Sequence, residues 1–460
     1  MDSKVKNQSV FDVDGVPKIS TAMPLATQHL LAMIVGNITP AIILAGVVGG
    51  DAGITTLLIQ AAMITAGVST MFQLYPLGRF GSHLPVVTGV SFSFVPTLIS
   101  LGAIYGLEGV FGAQLVGGLV AVLIGIFIKP LRKYFPPIVA GTVVLTIGLS
   151  LYNVAAGYMA GGMGAPEFGN PKNWLVAIVT LGVVLICSQF GKGYFKLASI
   201  LIGMIAGYIL AIPLGLVNFS AVREAAWFSL PQFMPFKMTF HLDAIITFAL
   251  VFLVASMELV GDLSAIAGGA CNRDVSDTEL SGGIMGMGLS SILATFIGGL
   301  PVATYSQNIG LVLMNKVASR FVIAVAAGFM IFAGFVPKFG ALATTIPAAV
   351  LGGATVTVFG MITMAGVQII IKDELSSRNV TIVGLAVALG MGIVGVGGMG
   401  ALDLFPEWVK VIFGESPVVI ASLTALFLNI LLPKKSLAEE EAERLSVDAL
   451  NTDKIELQNI

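Results

Sequence analysis

The sequence predicts an all-α polytopic membrane protein of about fourteen transmembrane segments in two inverted seven-span repeats, with short β-strand stretches in spans three and ten. Three observations carry that expectation: the scarcity of charge, the number and length of the apolar runs, and a proline–threonine motif that occurs twice, nearly half a chain apart.

Of 460 residues, 56% are hydrophobic and 10% are charged, whereas soluble domains carry about 25% charged residues. A chain so poor in charge needs lipid as its solvent. Its 55 glycines and 20 prolines suit helices that pack closely and break inside a bilayer. The net charge of −2 gives no footing for nucleic acid. Cys187 and Cys271 are too few and too far apart for a disulfide framework or a metal site, and read as packing residues.

Apolar segments fall at 22–46, 54–75, 84–104, 109–128, 137–159, 173–190, 195–216, 243–268, 280–299, 301–314, 320–336, 346–370, 379–397 and 416–432. An even number of spans puts both termini on one side. With the termini in the cytoplasm, the inside loops hold eleven Lys and Arg residues, the outside loops five and the tails the other seven of 23. This is the excess expected of cytoplasmic loops. Residues 1–20 are polar, with Lys4, Lys6 and Lys18, and do not resemble a cleaved signal. Beyond Pro433, Lys434, Lys435 and the run Glu439-Glu440-Glu441 read as a short solvated tail.

Leu84-Pro85-Val86-Val87-Thr88 recurs 216 residues later as Leu300-Pro301-Val302-Ala303-Thr304. Pro137, Gly141 and Gly148 are echoed, with a one-residue slip, by Pro347, Gly353 and Gly360. Each pair lies seven spans apart. Seven is odd, so the second half enters the membrane in the opposite sense, as in many secondary transporters. Valine, threonine and proline make the repeated motif β-prone. Extended backbone at membrane depth must find partners, so the two stretches are expected to pair, leaving the following helices to begin near mid-membrane with free amides. That places a binding site just after the repeats, at Ser91-Phe92 and Gln307-Asn308.

Ionisable residues inside spans are costly and suggest function. Glu258 and Asp262 stand four apart, on one helical face. An unpaired carboxyl in hydrocarbon favours its protonated form, as a proton-coupled carrier requires; Glu258, the deeper of the two, fits that role. Asp262 reads equally as a coupling group or a solvated structural carboxylate. His29, in span one, reads first as hydrogen-bonded scaffolding and second as a coupling group. Phe92 offers an aromatic face to a planar ring. Gln307 and Asn308 present a donor and an acceptor together, matching the N–H and C=O edge of a nucleobase, or serve as interhelical polar glue. No metal-ligand cluster, nucleophile–base pair or phosphate loop is present in the sequence, and an enzyme is not expected.

These residues resemble the nucleobase–ascorbate transporters, the nucleobase:cation symporters of the second type, over nearly the whole chain. The most specific element is Gln307-Asn308-Ile309-Gly310, continuing to Asn315-Lys316, which matches the family signature except that Asn315 stands where the family has threonine. Gln28-His29, Ser91-Phe92-Ser93-Phe94 and the Glu258–Asp262 segment support it. The resemblance implies a core domain of spans one to four and eight to eleven (residues 21–128 and 242–336), a gate domain of the remaining spans (129–241 and 337–432), and cytoplasmic tails at 1–20 and 433–460. It also implies strand–helix elements in spans three and ten, a homodimer formed through the gate, Glu258 as the substrate-binding carboxylate and Gln307 as the specificity residue. Met287 departs from the family, many of whose purine carriers have an acidic residue in span nine. The expected activity is import of xanthine or uric acid across the cell inner membrane by proton symport and alternating access. Substrate contacts are expected at Glu258, Gln307, Phe92, Ser91 and Asn308, and proton coupling at Glu258, Asp262 and His29. Sodium is the alternative coupling ion, and uracil, or an anion such as sulfate, the alternative cargo. No cofactor or metal is implied.

Overall fold

The computed structural model describes residues 9–434, except 135, 164 and 415, together with 437–439 and 442. Lys4, Lys6, Lys435, Glu440 and Glu441 of the two tails lie outside the described residues. In the first half, α1 (Ile19–Val47) and α2 (Ala52–Leu74) lead to β1 (Thr88–Val90), a 3-10 turn at Phe92–Phe94 and α3 (Val95–Ile126). Then come α4 (Pro137–Ser150), α5 (Tyr152–Met159), α6 (Pro171–Phe190) and α7 (Ser199–Ala211). The second half runs α8 (Leu242–Gly269), α9 (Asp277–Thr295), β2 (Val302–Thr304), α10 (Ser306–Asn315), α11 (Arg320–Gly334) and α12 (Pro337–Thr344). It ends with α13 (Ala348–Ile370), α14 (Ser377–Gly397) and α15 (Pro417–Leu431).

Among the described residues, eight helical stretches are long and apolar enough to cross a bilayer, and nine if α11 and α12, bent by 80°, count as one broken span. The shorter helices explain the difference from the sequence-derived segments. Gly106, at φ 63°, breaks α3 into two legs where residues 84–104 and 109–128 were expected to be separate. The segment at 301–314 is half strand, half helix.

β1 and β2 pair antiparallel with Thr88 opposite Thr304 and Val90 opposite Val302, so the repeated motif forms a two-stranded sheet buried within the bundle. Its backbone groups are partnered, as the bilayer demands. The Val90 N–H donates to Asn37 Oδ1 at 2.9 Å, the Tyr305 N–H to the Val87 carbonyl at 3.0 Å, and the Val302 N–H to Ser291 Oγ at 3.2 Å. Thr88 is tied to α2 through Thr70 and Ser69.

The helices pack in two groups, and the sheet lies against α1, α2, α8 and α9. In one, α2 packs on α11, and α3 on α8 and α9; in the other, α4 packs on α13, α6 on α7 and α14 on α15. Gly141 and Gly148 of α4 let α13 approach until a methyl on Gly141 would lie 2.9 Å from the Gly366 carbonyl oxygen. Across the helix ends, the Ile138 N–H donates to the Asp373 carboxylate at 2.7 Å.

Candidate functional site

Both half-elements converge on α8. Ser93, in the turn after β1, donates to Glu258 Oε2 at 2.8 Å. One turn along, Asp262 accepts from Thr304 Oγ, at the end of β2, and from Ser306 Oγ at 3.1 and 3.2 Å, at the start of α10. The two carboxylates therefore fasten the two repeat motifs to one helix, and both are half-buried. The i,i+4 spacing read from the sequence achieves this because each carboxylate meets a different strand–helix element.

Gln307 is exposed and lies beside Phe92 across a bare stretch of α1. A methyl built on Gly36 would stand 3.4 Å from the Tyr305 ring, 3.7 Å from Gln307 Nε2 and 3.8 Å from the Phe92 ring. Tyr305 is held by its hydroxyl, which donates to the Val90 carbonyl at 2.7 Å. Phe92 is buried, edge-on to Phe359 of α13 with ring centroids 5.2 Å apart. Around that contact Ile43, Val95 and Val254 pack with Val143, Ile147 and Val418, sealing one side of the site. The other side is open: Gly261 and Gly310 are exposed, and a methyl on either would meet nothing within 4 Å. The result is a one-sided cleft with an aromatic wall, a carboxylate and a primary amide. That combination can hold a flat ring by its face and read its hydrogen-bonding edge.

Two residues sit differently from the sequence expectation. The Ser91 amide, expected to be free, donates to the Pro301 carbonyl at 3.2 Å and so extends the sheet, while Ser91 Oγ caps the Ser93 N–H at 3.1 Å. Asn308 is buried against α1 rather than on the exposed face with Gln307: its Nδ2 donates to the His29 carbonyl at 3.0 Å and lies 3.2 Å from His29 Nδ1. His29 is accordingly buried under α10, the position that its reading as hydrogen-bonded scaffolding describes. About two turns beyond, Asn315 Nδ2 donates to Gln28 Oε1 at 3.1 Å. The departure from threonine at this position thus supplies an amide long enough to reach α1. Met287 is fully buried in α9, and Cys187 and Cys271 are free thiols.

Sequence reasoning missed four contributors: Ser93, Thr304, Gly36 and Phe359. Thr304 had a signal, as the repeat partner of Thr88. Gly36 and Phe359 had none, since one glycine among 55 and one phenylalanine among 28 carry no local mark.

Fold and cleft together define a membrane permease, many times spanning, with paired strand–helix elements at its centre. Residues 20–397 match the permease family. The chain is 37% identical over 415 residues to the uric acid permease PucK of Bacillus subtilis (strain 168), covering 90% of this chain and 96% of that protein. It is 33% identical over 446 residues to the xanthine permease XanQ of Escherichia coli (strain K12), covering 92% and 94%. The chain belongs to the nucleobase–ascorbate transporter family of permeases. Among solved structures, the transmembrane domain of the cyanobacterial bicarbonate transporter BicA superposes with a TM-score of 0.57, over 89% of this chain and 97% of that one. At 14% identity that likeness shows a shared fold.

Proposed function

We propose that this chain is a purine:proton symporter that imports xanthine or uric acid across the cell inner membrane. The observation that supports it best is the pairing of Phe92 and Gln307 across the bare backbone of Gly36, with Glu258 bonded to Ser93, the residue after Phe92. Phe92 covers one face of the ring. Glu258, held by Ser93, accepts hydrogen bonds from ring N–H groups, and the Gln307 amide reads the adjacent carbonyl and N–H edge. Asn308 and His29 hold α10 in place, and Ser91 fixes the turn that carries Phe92 and Ser93. The printed names of the relatives point to the same cargo.

Transport follows from the two-body architecture. The chain has fourteen spans in two inverted seven-span repeats, with both termini cytoplasmic. Residues 21–128 and 242–336 form a core that carries the half-elements; 129–241 and 337–432 form a gate, through which two copies dimerise. In this topology the exposed Gly261 and Gly310 lie toward the cytoplasmic ends of their spans, which supports an inward-facing conformation. Rocking the core against the gate would part Phe92 from Phe359 and open the other side. Glu258 takes the proton that moves with the purine, and Asp262, bonded to β2 and α10, couples that change to the second half-element. The groups beside Phe92 are a carboxylate and an amide, which favours a heterocycle read through its N–H and C=O edge over an anion such as sulfate. Labelled xanthine uptake in cells, competed with uric acid, hypoxanthine, guanine and uracil, tests the assignment. Xanthine and uric acid should compete best; dominance of uracil would transfer the cargo to a pyrimidine, and indifference to all five would remove the nucleobase reading.

A further inference from the structure

At the N-terminal end of α8, far from the cleft, lies a second cavity of about 610 Å3. Asp243 and Glu258 are separated by 15 residues of one helix, about 22 Å along its axis at 1.5 Å per residue. The cavity lies across the seam of the two bodies: Tyr105, His241, Asp243 and Ile246 come from the body of α3 and α8, and Trp408 and Ile412 from the connection between α14 and α15.

Its walls are rings. Tyr105 and His241 are stacked with centroids 4.0 Å apart and planes 13° apart, forming one flat slab. Phe240 and Trp408 face the same space with more than half of their surface uncovered. The polar groups are few and placed. The Asp243 carboxylate accepts from the Tyr105 hydroxyl at 2.6 Å and from the Ala244 N–H at 2.7 Å. Each of its oxygens has capacity for a further donor. The His241 imidazole, stacked at the cavity edge, adds a ring nitrogen that can donate and one that can accept. The volume falls in the range of small-molecule sites, roughly 300–1,000 Å3, which pair aromatic walls with a few fixed polar groups.

We infer that this cavity is a second binding site, for a planar heteroaromatic ring bearing N–H donors. Aromatic faces offset-stack on such a ring, the carboxylate takes its N–H groups, and the imidazole meets its carbonyl. An aliphatic lipid chain matches the walls but leaves the carboxylate and imidazole unused. An organic anion would meet Asp243 with no cation in the lining to offset it. Identifying the ring with the purine carried through the cleft rests on the function proposed above; the site itself does not. Because its walls belong to both bodies, the cavity changes shape as they move.

The protein contains three tryptophans. Replacing Trp174 and Trp227 with phenylalanine leaves Trp408 as the reporter in otherwise full-length, purified protein. Titrating this protein with xanthine, with free tryptophan amide as the optical control, should give a saturable quench of Trp408. The quench should persist in Glu258→Gln, and its midpoint should rise about tenfold or more in His241→Ala. Phe240→Leu, at the exposed rim and leaving the His241 cap residue in place, should weaken it in the same direction and guards against a misfolded His241 variant. Equilibrium binding of radiolabelled xanthine, measured on the same samples, reads both sites together, and the part lost in Glu258→Gln belongs to the cleft. A quench by uracil or another heterocycle without radiolabelled xanthine binding would keep this site and remove the purine assignment. No quench with any heterocycle, a quench that disappears with Glu258→Gln, or one matched by an aliphatic fatty acid would overturn the inference.

Discussion

Replacing Glu258 and Asp262 with their amides should separate two roles that look alike in sequence. Asp262 joins α8 to β2 and α10 through two hydroxyl donors, Thr304 and Ser306. Hydrogen bonds to a charged group contribute about 1.5–3 kcal/mol and neutral ones about 0.5–1.5 kcal/mol. Asp262→Asn keeps one oxygen acceptor but loses the charge, so each bond weakens by about 1 kcal/mol and the joint by about 2 kcal/mol. Among the described residues Glu258 receives one bond, from Ser93 at 2.8 Å, so Glu258→Gln should cost the fold only about 1 kcal/mol. Its loss falls on the ligand instead. Removing a charged acceptor for a ring N–H, at about 1.5–3 kcal/mol, weakens binding by roughly tenfold to a hundredfold. Thermal unfolding in detergent and equilibrium xanthine binding, both on purified protein, give the two readouts. Asp262→Asn should lower the unfolding temperature more, and Glu258→Gln should lower affinity and uptake more. An Asp262→Asn protein that is as stable as the parent yet fails to bind would reverse the assignment.

Three further outcomes follow from the packing and the topology. Asn315→Thr, which restores the family residue, should lose the bond to Gln28 and destabilise the α10–α1 contact by about 0.5–1.5 kcal/mol, read as a modest fall in unfolding temperature. Gly366→Leu should destabilise by about 1–3 kcal/mol or more, because its side chain enters the space held by α4 at Leu145 and Gly141; a protein of unchanged thermal stability would contradict the tight α4–α13 contact. A reporter after Lys435 should behave as cytoplasmic and one in the loop near Arg223 as external, and finding both on one side would break the fourteen-span count.

The sequence made the sheet legible because proline, valine and threonine in a hydrocarbon setting leave the backbone few choices. Thr88 and Thr304 pair where the repeated motif places them. The carboxylates were legible for a similar reason, since charge is rare enough inside apolar segments to stand out. What lay hidden is the side to which each polar group turns. Gln307 and Asn308 are adjacent, yet a helix sends one outward to the cleft and the other inward to His29. No local pattern distinguishes them without knowing that α1 covers that face. Ser91 deceived in the opposite direction: an amide that follows a strand looks free until the strand is found to run one residue longer through Pro301. Gly36 matters through what it lacks, and only the positions of Tyr305, Gln307 and Phe92 give that absence meaning.

The central claim is that Gln307 contacts the purine. An amide donates and accepts, whereas an ionised carboxylate only accepts. In Gln307→Glu a ring carbonyl that faced the amide N–H would meet a carboxylate oxygen, a mismatch of about 1–3 kcal/mol once the bound ring covers it. Binding of xanthine and uric acid to the purified variant should weaken roughly tenfold to a hundredfold at neutral pH, and by less at acidic pH, where protonation returns a donor. Affinity unchanged from the parent at both pH values would take Gln307 out of the site, and the account with it.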